Sequence, residues 1–370
     1  MSEKVAQSEV SYRVSMNMDP PPPYTLIDEQ TIVHDTTSGQ VLYNPGQCSA
    51  NMDSNRQVCT IESTSLVLSL GQSIANIRLE KPTMESQNFV VTFPGMLTST
   101  ATAAMKKKGN KISVDNVLTP CTVHILIPSV SSSSKVHINL KSTQATISSQ
   151  TSAVDLEIQS KNSPTHLAHV LANSLQLRSE NSNVKLENIE CRNLKLIMER
   201  STANMSHLKA AEMSFNLERA PTLATCVASD YIVVRANHTS TELHDINANR
   251  MELILDHSKI DGALLTSDEI HMIIDHGSMI SQVQAKSKEF KFDCTADHSN
   301  LHLDYMKEFK GELSFKSDHG QFHYPILPES KTQVRQVYAH SKYSTHLTFG
   351  EMKDFIKVRA DHGKTAITFH

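Results

Sequence analysis

Apolar and polar residues alternate at a spacing of two along most of the chain, and the alternation recurs in blocks of 19 to 22 residues. Such alternation is typical of a strand with one buried face. One residue of each block, which we call the corner position, follows the last apolar residue of a strand. The corner positions are Ser142, Asn162, Asn181, Arg200, Arg219, His238, His257, His276, His298, His319, His340 and His362.

The apolar residues keep their phase from block to block. Apolar residues stand at the sixth, fourth and second places before the corner position. They are Leu194, Leu196 and Met198 in one block and Met251, Leu253 and Leu255 in another. The residue ten after the corner position is small in six successive blocks, so we expect Cys191, at this place, to be an inward filler and not a nucleophile. A period of this length with strand patterns predicts an all-β fold, a β-solenoid (β-helix or β-roll) of about twelve coils. Stacked coils would place Leu196, Phe215, Val234 and Leu253 in one column.

An acidic residue precedes the corner histidine in the pairs Asp256-His257, Asp275-His276, Asp297-His298, Asp318-His319 and Asp361-His362. Imidazole and carboxylate are suitable ligands for Zn²⁺. However, Arg200 and Arg219 occupy the same position in other coils, which favours a solvated structural corner. The sequence therefore predicts no catalytic residue, no metal ligand and no cofactor. Stacked histidines would gain charge together below about pH 6.5, so we expect the coils from His238 to His362 to be acid-sensitive.

The amino-terminal segment carries the most specific binding motif. Pro21, Pro22, Pro23 and Tyr24 match the PPxY pattern that WW domains bind, and such prolines prefer the polyproline II conformation. A plain proline-rich linker is the alternative interpretation. We predict that residues 1–35 form a disordered tail whose partner-binding residues are Pro21, Pro22, Pro23 and Tyr24, with a WW-domain protein as partner.

Two further segments complete the predicted organisation. Residues 36–130 have strand patterns out of phase with the repeat, so an irregular β cap is expected there, followed by the solenoid over residues 131–370. The last repeat ends in a strand pattern without a polar capping element. Because an open strand edge invites pairing with another chain, end-to-end self-association is expected.

Composition narrows the function further. The net charge of −4 does not favour nucleic acid as the partner. The first residues lack the apolar stretch of a signal peptide, and no apolar run reaches the length of a membrane span. The 6 cysteines show no paired spacing, so reduced thiols and a cytoplasmic location are expected.

The coil pattern over roughly residues 115–370 resembles the "putative adhesin" β-solenoid domains, a family of unknown function. That resemblance implies a binding or structural role. The leading interpretation is a non-enzymatic scaffold or adaptor whose PPPY motif recruits a WW-domain protein such as a ubiquitin ligase. The alternatives are an adhesin-like or viral structural protein that self-associates through its solenoid ends, and a β-helix carbohydrate-active enzyme. The strict 19-residue coils from Asn162 to His276 leave no insertion to wall an enzyme cleft.

Overall fold

Every regular element in the described part of the chain is a β-strand, which confirms the all-β prediction. A computed structural model describes residues 49–51, 56–81, 86–94, 105–115, 120–129, 134–287, 289–306, 309–319, 321–323, 332–339, 342–349 and 354–369. The strands of the amino-terminal part are β1 Ser49–Asn51, β2 Arg56–Ile61, β3 Ser65–Gly71, β4 Ile74–Glu80, β5 Phe89–Pro94, β6 Met105–Lys108, β7 Lys111–Asp115 and β8 Cys121–Leu126.

The central strands pair in parallel, and five of them, β12 to β16, are 16 or 17 residues long. They are β9 Ser134–Lys141, β10 Gln144–Gln150, β11 Val154–Lys161, β12 Thr165–Glu180, β13 Asn183–Glu199, β14 Thr202–Glu218, β15 Thr222–Asn237, β16 Ser240–Asp256, β17 Lys259–Ser267, β18 Glu269–Asp275, β19 Ser278–Ala285, β20 Lys291–Asp297 and β21 Asn300–Tyr305. Each coil pairs with the coils before and after it, residue for residue. This parallel stacking confirms the predicted β-solenoid.

The strands after residue 310 complete the stack and cover one end of it. They are β22 Gly311–Ser317, β23 Gln321–His323, β24 Thr332–Ala339, β25 Lys342–Phe349, β26 Asp354–Asp361 and β27 Lys364–Phe369. Strands β24 and β25 form an antiparallel hairpin, and β25 pairs antiparallel with β22. The described part of the chain contains no helix with the length and hydropathy needed to span a bilayer.

The predicted column of inward residues is present. Leu196 pairs with Phe215, Phe215 with Val234, and Val234 with Leu253, and all four side chains are buried. Each such residue contributes about 1.5–3 kcal/mol through burial. The column also includes Ile112, Leu68, Ile138, Ile158, Leu177, Met272, Cys294, Val358 and Phe315.

Each long coil has three inward-facing runs, a number that the sequence had left open. In β13 the buried residues alternate with exposed ones, but the alternation changes phase at Glu187-Asn188 and again at Arg192-Asn193. Asn188 has a positive φ of 54°. The residues at the same bend in four other coils also have a φ of 53° or 54°: His169, His207, Cys226 and Asp245. These single left-handed residues redirect the strand, and the pairing continues in the same register on either side of them.

The corner position has the same backbone conformation in coil after coil. Its φ lies between 47° and 51°, the left-handed region that most residues avoid. Asparagine and histidine are enriched in this region, which explains their frequency at the corner. The corner residues with positive φ are Gln72, Ser142, Asn162, Asn181, Arg200, Arg219, His238, His257, His276, His298 and His362.

One regular coil lies within residues 36–130, where only an irregular cap was expected. Strands β3 and β4 turn at Gln72, which has the left-handed corner conformation, and they pair in parallel with β9 and β10. On their other side they pair with β7 and β8, which follow later in the chain. Antiparallel strands β2, β5 and β6 then flank this outer coil. The expected cap is therefore a coil out of chain order, with antiparallel strands outside it.

The opposite end corrects the prediction of twelve coils in chain order. Nine corner positions, from Ser142 to His298, follow one another in sequence within the described residues. The coil of β26 and β27 is then inserted between the coil of β20 and β21 and that of β22 and β23. The uncovered final strand on which self-association was predicted is thus an interior strand. His340 lies outside the described residues.

The cysteines follow the expectation of reduced thiols only in part. Cys121, Cys191, Cys226 and Cys294 are free, whereas Cys59 forms a disulfide bond. Cys191 is buried and stacks between Ala172 and Ala210, as expected for an inward filler. Burial raises the pKa of its thiol to about 12. A thiol of this kind is a poor nucleophile at neutral pH.

Candidate functional site

The residue after the corner position forms a ladder of buried hydroxyl groups. The Ser182 hydroxyl donates to the Glu180 carbonyl oxygen of its own coil at 2.9 Å and accepts the Ser163 backbone N–H of the neighbouring coil at 2.9 Å. Ser201 makes the equivalent bonds to Glu199 and Ser182. Equivalent bonds are made by Ser163, Ser258 and Ser299. The hydroxyl therefore satisfies a backbone carbonyl and a backbone N–H that the tight corner would otherwise leave buried and unpaired.

Glycine replaces the hydroxyl residue at places where a Cβ atom would collide with the backbone of the neighbouring coil. A Cβ atom added to Gly277 would lie 2.5 Å from the Ser258 carbonyl oxygen, and one added to Gly363 would lie even closer to that of Ser299. Serine after an Asp-His pair therefore satisfies buried backbone groups, whereas glycine there avoids a collision with the neighbouring coil. The sequence suggested only that these residues tolerate turn geometry.

The corner histidines stack into a continuous ladder. The ring centroids of His238, His257, His276 and His298 lie 4.8 Å apart, and neighbouring rings are parallel within 3°. His362 follows His298 at 4.6 Å, and His319 follows His362 at 4.6 Å with the rings inclined by 16°. The expected stack is therefore present, but its order in space is 298, 362, 319. The predicted acid sensitivity of this ladder stays a prediction.

The preceding acidic residue orients each ring. Nδ1 of His257 lies 2.6 Å from the Asp256 carboxylate, and Nδ1 of His276 lies 2.5 Å from that of Asp275. His238 uses the Asn237 amide oxygen in the same way. Because the left-handed corner bends the backbone back, the two neighbouring side chains can meet directly. All these side chains are about half exposed, so the ladder is a surface feature of the solenoid.

A shallow groove of about 650 Å³ follows the ladder from Arg219 to His298. Its lining includes the corner histidines, the hydroxyl residues Thr239 and Ser258, and Lys259. The described coils add no long loop that would enclose it. The groove can therefore contact an extended partner, but it does not surround a small molecule as a typical ligand pocket does.

Two clusters of metal-ligating side chains occur in the described part of the chain, both at the inserted coil. One contains Asp297, His298 and His362, and the other contains His319, Asp361 and His362. In each cluster the candidate donor atoms lie within 4.8 Å of one another. The sequence does not indicate these clusters, because coils stacked in chain order would not place His362 between His298 and His319.

Other clearly shifted ionisable groups do not suggest a catalytic centre. Burial raises the pKa of the thiols of Cys121 and Cys294, the opposite of what an activated thiol needs. The pKa of the Tyr305 hydroxyl is raised by burial and by Asp354. The pKa of Glu187 is lowered, chiefly by a hydrogen bond from Lys185, whose Nζ lies 2.7 Å away. These shifts arise from core packing and from a surface ion pair.

The predicted partner-binding residues Pro21, Pro22, Pro23 and Tyr24 lie outside the described residues. Their role as a WW-domain ligand stays a prediction.

Comparison with known proteins places the solenoid in a family. The model of the Toastrack DUF4097 family matches residues 102–367, well over half of the chain. The chain belongs to this family. The sequence resemblance over roughly residues 115–370 covers nearly the same part of the Toastrack solenoid. No curated protein matches the chain.

Two crystal structures show a weak likeness to this Toastrack protein. A "putative adhesin" from Bacteroides fragilis NCTC 9343 has a TM-score of 0.29 and 7% identity, covering 84% of this chain and 96% of that one. A "putative cell adhesion protein" from Clostridium sporogenes ATCC 15579 has a TM-score of 0.19 and 7% identity, covering 86% and 100%. TM-scores this low carry no argument about function.

Proposed function

We propose that the protein is a non-enzymatic scaffold in which the Toastrack solenoid supplies a continuous binding surface. One observation carries this proposal. From β12 to β16 the coils keep their residue-for-residue register with a repeat of 19 and without an inserted loop. Repeat proteins of this kind offer extended surfaces to partners.

The recruiting element of the scaffold is the tail segment Pro21, Pro22, Pro23 and Tyr24. Consecutive prolines lose little conformational entropy on binding, because they already prefer the extended helix that WW domains recognise. Tyr24 completes the PPxY pattern. WW domains occur in many ubiquitin ligases, so the concrete version of the proposal is a trafficking or ubiquitylation adaptor.

The test is capture of purified WW domains by the full-length protein. The wild type is expected to bind a subset of a WW-domain panel, and Tyr24→Ala is expected to lose that binding. Tyr12→Ala is the matched control, because Tyr12 lies in the same segment without preceding prolines. Equal binding by the wild type and Tyr24→Ala, or no binding by any WW domain, would reject the recruitment proposal.

The adhesin-like alternative differs mainly in the compartment where the protein acts. The Cys59 disulfide favours it, because disulfides persist in oxidising compartments and are rare in the cytosol. Fractionation of cells that express the full-length chain separates the two proposals. Cytosolic protein with reduced Cys59 supports the adaptor, and secreted or surface protein with oxidised Cys59 supports the adhesin-like role.

A further inference from the structure

We propose that His319, Asp361 and His362 bind a divalent transition-metal ion of the Zn²⁺ class. The three residues belong to two coils that are adjacent in space but separated in sequence. Asp361 is the last residue of strand β26 and His362 follows it, whereas His319 follows β22. The site exists only because the coil of β26 is inserted beside that of β22, where the two strands pair in parallel.

The Asp361 carboxylate faces two imidazoles at once. Its Oδ1 atom lies 3.1 Å from Nδ1 of His362 and 3.3 Å from Nδ1 of His319. In a tetrahedral zinc site with metal–ligand distances near 2.0–2.1 Å, neighbouring ligand atoms are about 3.3 Å apart. Both separations are close to this value. The two imidazole nitrogens lie within 4.8 Å of each other in stacked rings, so the rings must turn towards the ion for all three atoms to ligate it, while the coils themselves can stay in place.

The regular part of the ladder lacks this geometry. In the coils of His257 and His276, each Nδ1 has its own carboxylate at 2.6 and 2.5 Å, which is short even for a charge-assisted hydrogen bond. These pairs are too close for both atoms to ligate one tetrahedral ion. The adjoining cluster at His298 shares His362, but its Asp297–His298 separation is also short, at 2.7 Å. The cluster with Asp361 at its centre therefore fits a metal best.

Two imidazole nitrogens and one carboxylate oxygen suit Zn²⁺, Co²⁺, Ni²⁺ or Cu²⁺ better than Mg²⁺ or Ca²⁺, which prefer oxygen ligands. Each imidazole would ligate through an unprotonated Nδ1 and carry its proton on Nε2, so the ion would replace the contacts between the Nδ1 atoms and the carboxylate. The three side chains are 54%, 44% and 46% exposed, which leaves a fourth position for water. Bound metal would fasten the inserted coil to its outer neighbour.

The experiment uses the full chain without a polyhistidine tag and measures Zn²⁺ binding by titration calorimetry at neutral pH, together with the visible absorption of bound Co²⁺. Asparagine is the substitution of choice, since Asn162 and Asn181 occupy the same corner with the same positive φ. His362→Asn and His319→Asn should each weaken binding at least about tenfold. His257→Asn, in the regular ladder, should bind as the wild type does.

A second readout separates lost ligation from lost folding. Zn²⁺ should raise the melting temperature of the wild type and of His257→Asn, but not that of His362→Asn, while circular dichroism remains the same for all three. The proposal is overturned if the wild type binds no Zn²⁺, or if His362→Asn binds it as well as the wild type. An equal loss in His257→Asn also overturns it, because binding would then belong to the ladder as a whole.

Discussion

The buried hydroxyl ladder offers a direct test of what holds the corners together. We predict that Ser182→Ala destabilises the solenoid. The substitution removes the acceptor of the Ser163 N–H and the donor to the Glu180 carbonyl, each bond being 2.9 Å long. Ser163 and Ser182 are 0% and 5% exposed, so water cannot easily replace the lost partner. A buried polar group left without a partner costs about 1–3 kcal/mol, which is the expected loss in the free energy of unfolding.

The protein itself shows that a coil can be accommodated without this hydroxyl. Ala220 occupies the equivalent place in another coil and is completely buried, so the stack already accommodates one coil without the hydroxyl. Ser182→Ala should therefore fold. Ser182→Thr should restore part of the stability, because Thr143 holds the equivalent position and its hydroxyl donates to the Lys141 carbonyl oxygen in the same way. Full restoration is not expected, since the buried hydroxyl of Thr239, at the same place in another coil, makes no hydrogen bond within the described part of the chain.

The assay is equilibrium unfolding in guanidinium chloride, combined with hydrogen exchange at the Ser163 amide. The control is Thr202→Ala, which removes an exposed hydroxyl that donates to the Asn183 amide oxygen at 2.7 Å. Exposed hydrogen bonds contribute little, so this variant should stay within about 0.5 kcal/mol of the wild type. If Ser182→Ala changes stability no more than the control, and Ser163 exchange is not accelerated, the hydroxyl ladder does not stabilise the corners.

Three further outcomes follow from the backbone and the ionisable groups. Arg200→Val should lower the free energy of unfolding by about 1 kcal/mol or more, because a β-branched residue tolerates the φ of 48° poorly. Arg200→Gly should unfold at nearly the wild-type denaturant concentration; equal effects of the two would contradict the strain argument. Glu187 has a lowered pKa in the folded state, so its stabilising contribution is present above the ordinary carboxyl pKa and is lost as pH falls through the lowered value. The stability difference between the wild type and Glu187→Gln should shrink as pH is lowered over that range, and a difference independent of pH would refute this. In mass-spectrometric mapping after alkylation of the native protein at pH 8, exposed Cys226 should react well before Cys191, whose thiol is buried and has a pKa of about 12. Equal labelling would contradict that order.

The solenoid was predictable because its information is local and repeated. Leu196, Phe215 and Val234 stand at the same phase of successive blocks, and parallel stacking converts that phase into one column. The hydroxyl ladder had a signal as well, since serine or threonine follows the corner in most coils. By itself that signal indicates only residues that are common in turns, because a sequence does not show that the hydroxyl of Ser182 is buried between two backbones.

The order of the end coils could not be predicted in this way. The alternating pattern of β26 fits any neighbour with the same phase, and the steps to His319 and His362 match a continuous repeat. Periodicity specifies which residues face inward, but it does not specify which coil lies beside which. The candidate metal site depends on that second kind of information, so it emerged only from the structure.

The open parallel edge is covered in the same way at both ends of the stack. The coil of β3 and β4 lies inside that of β7 and β8, although β7 and β8 come later in the chain. The coil of β26 and β27 lies inside that of β22 and β23, although β22 and β23 come earlier in the chain. Antiparallel strands then pair with the outer coil. Within the described residues, β22 finds its parallel partner only in β26, 37 residues after β22 ends at Ser317. The outer coil therefore cannot dock until the inner one is in place. A metal ion at Asp361, between these two coils, would act at the point where that docking is completed.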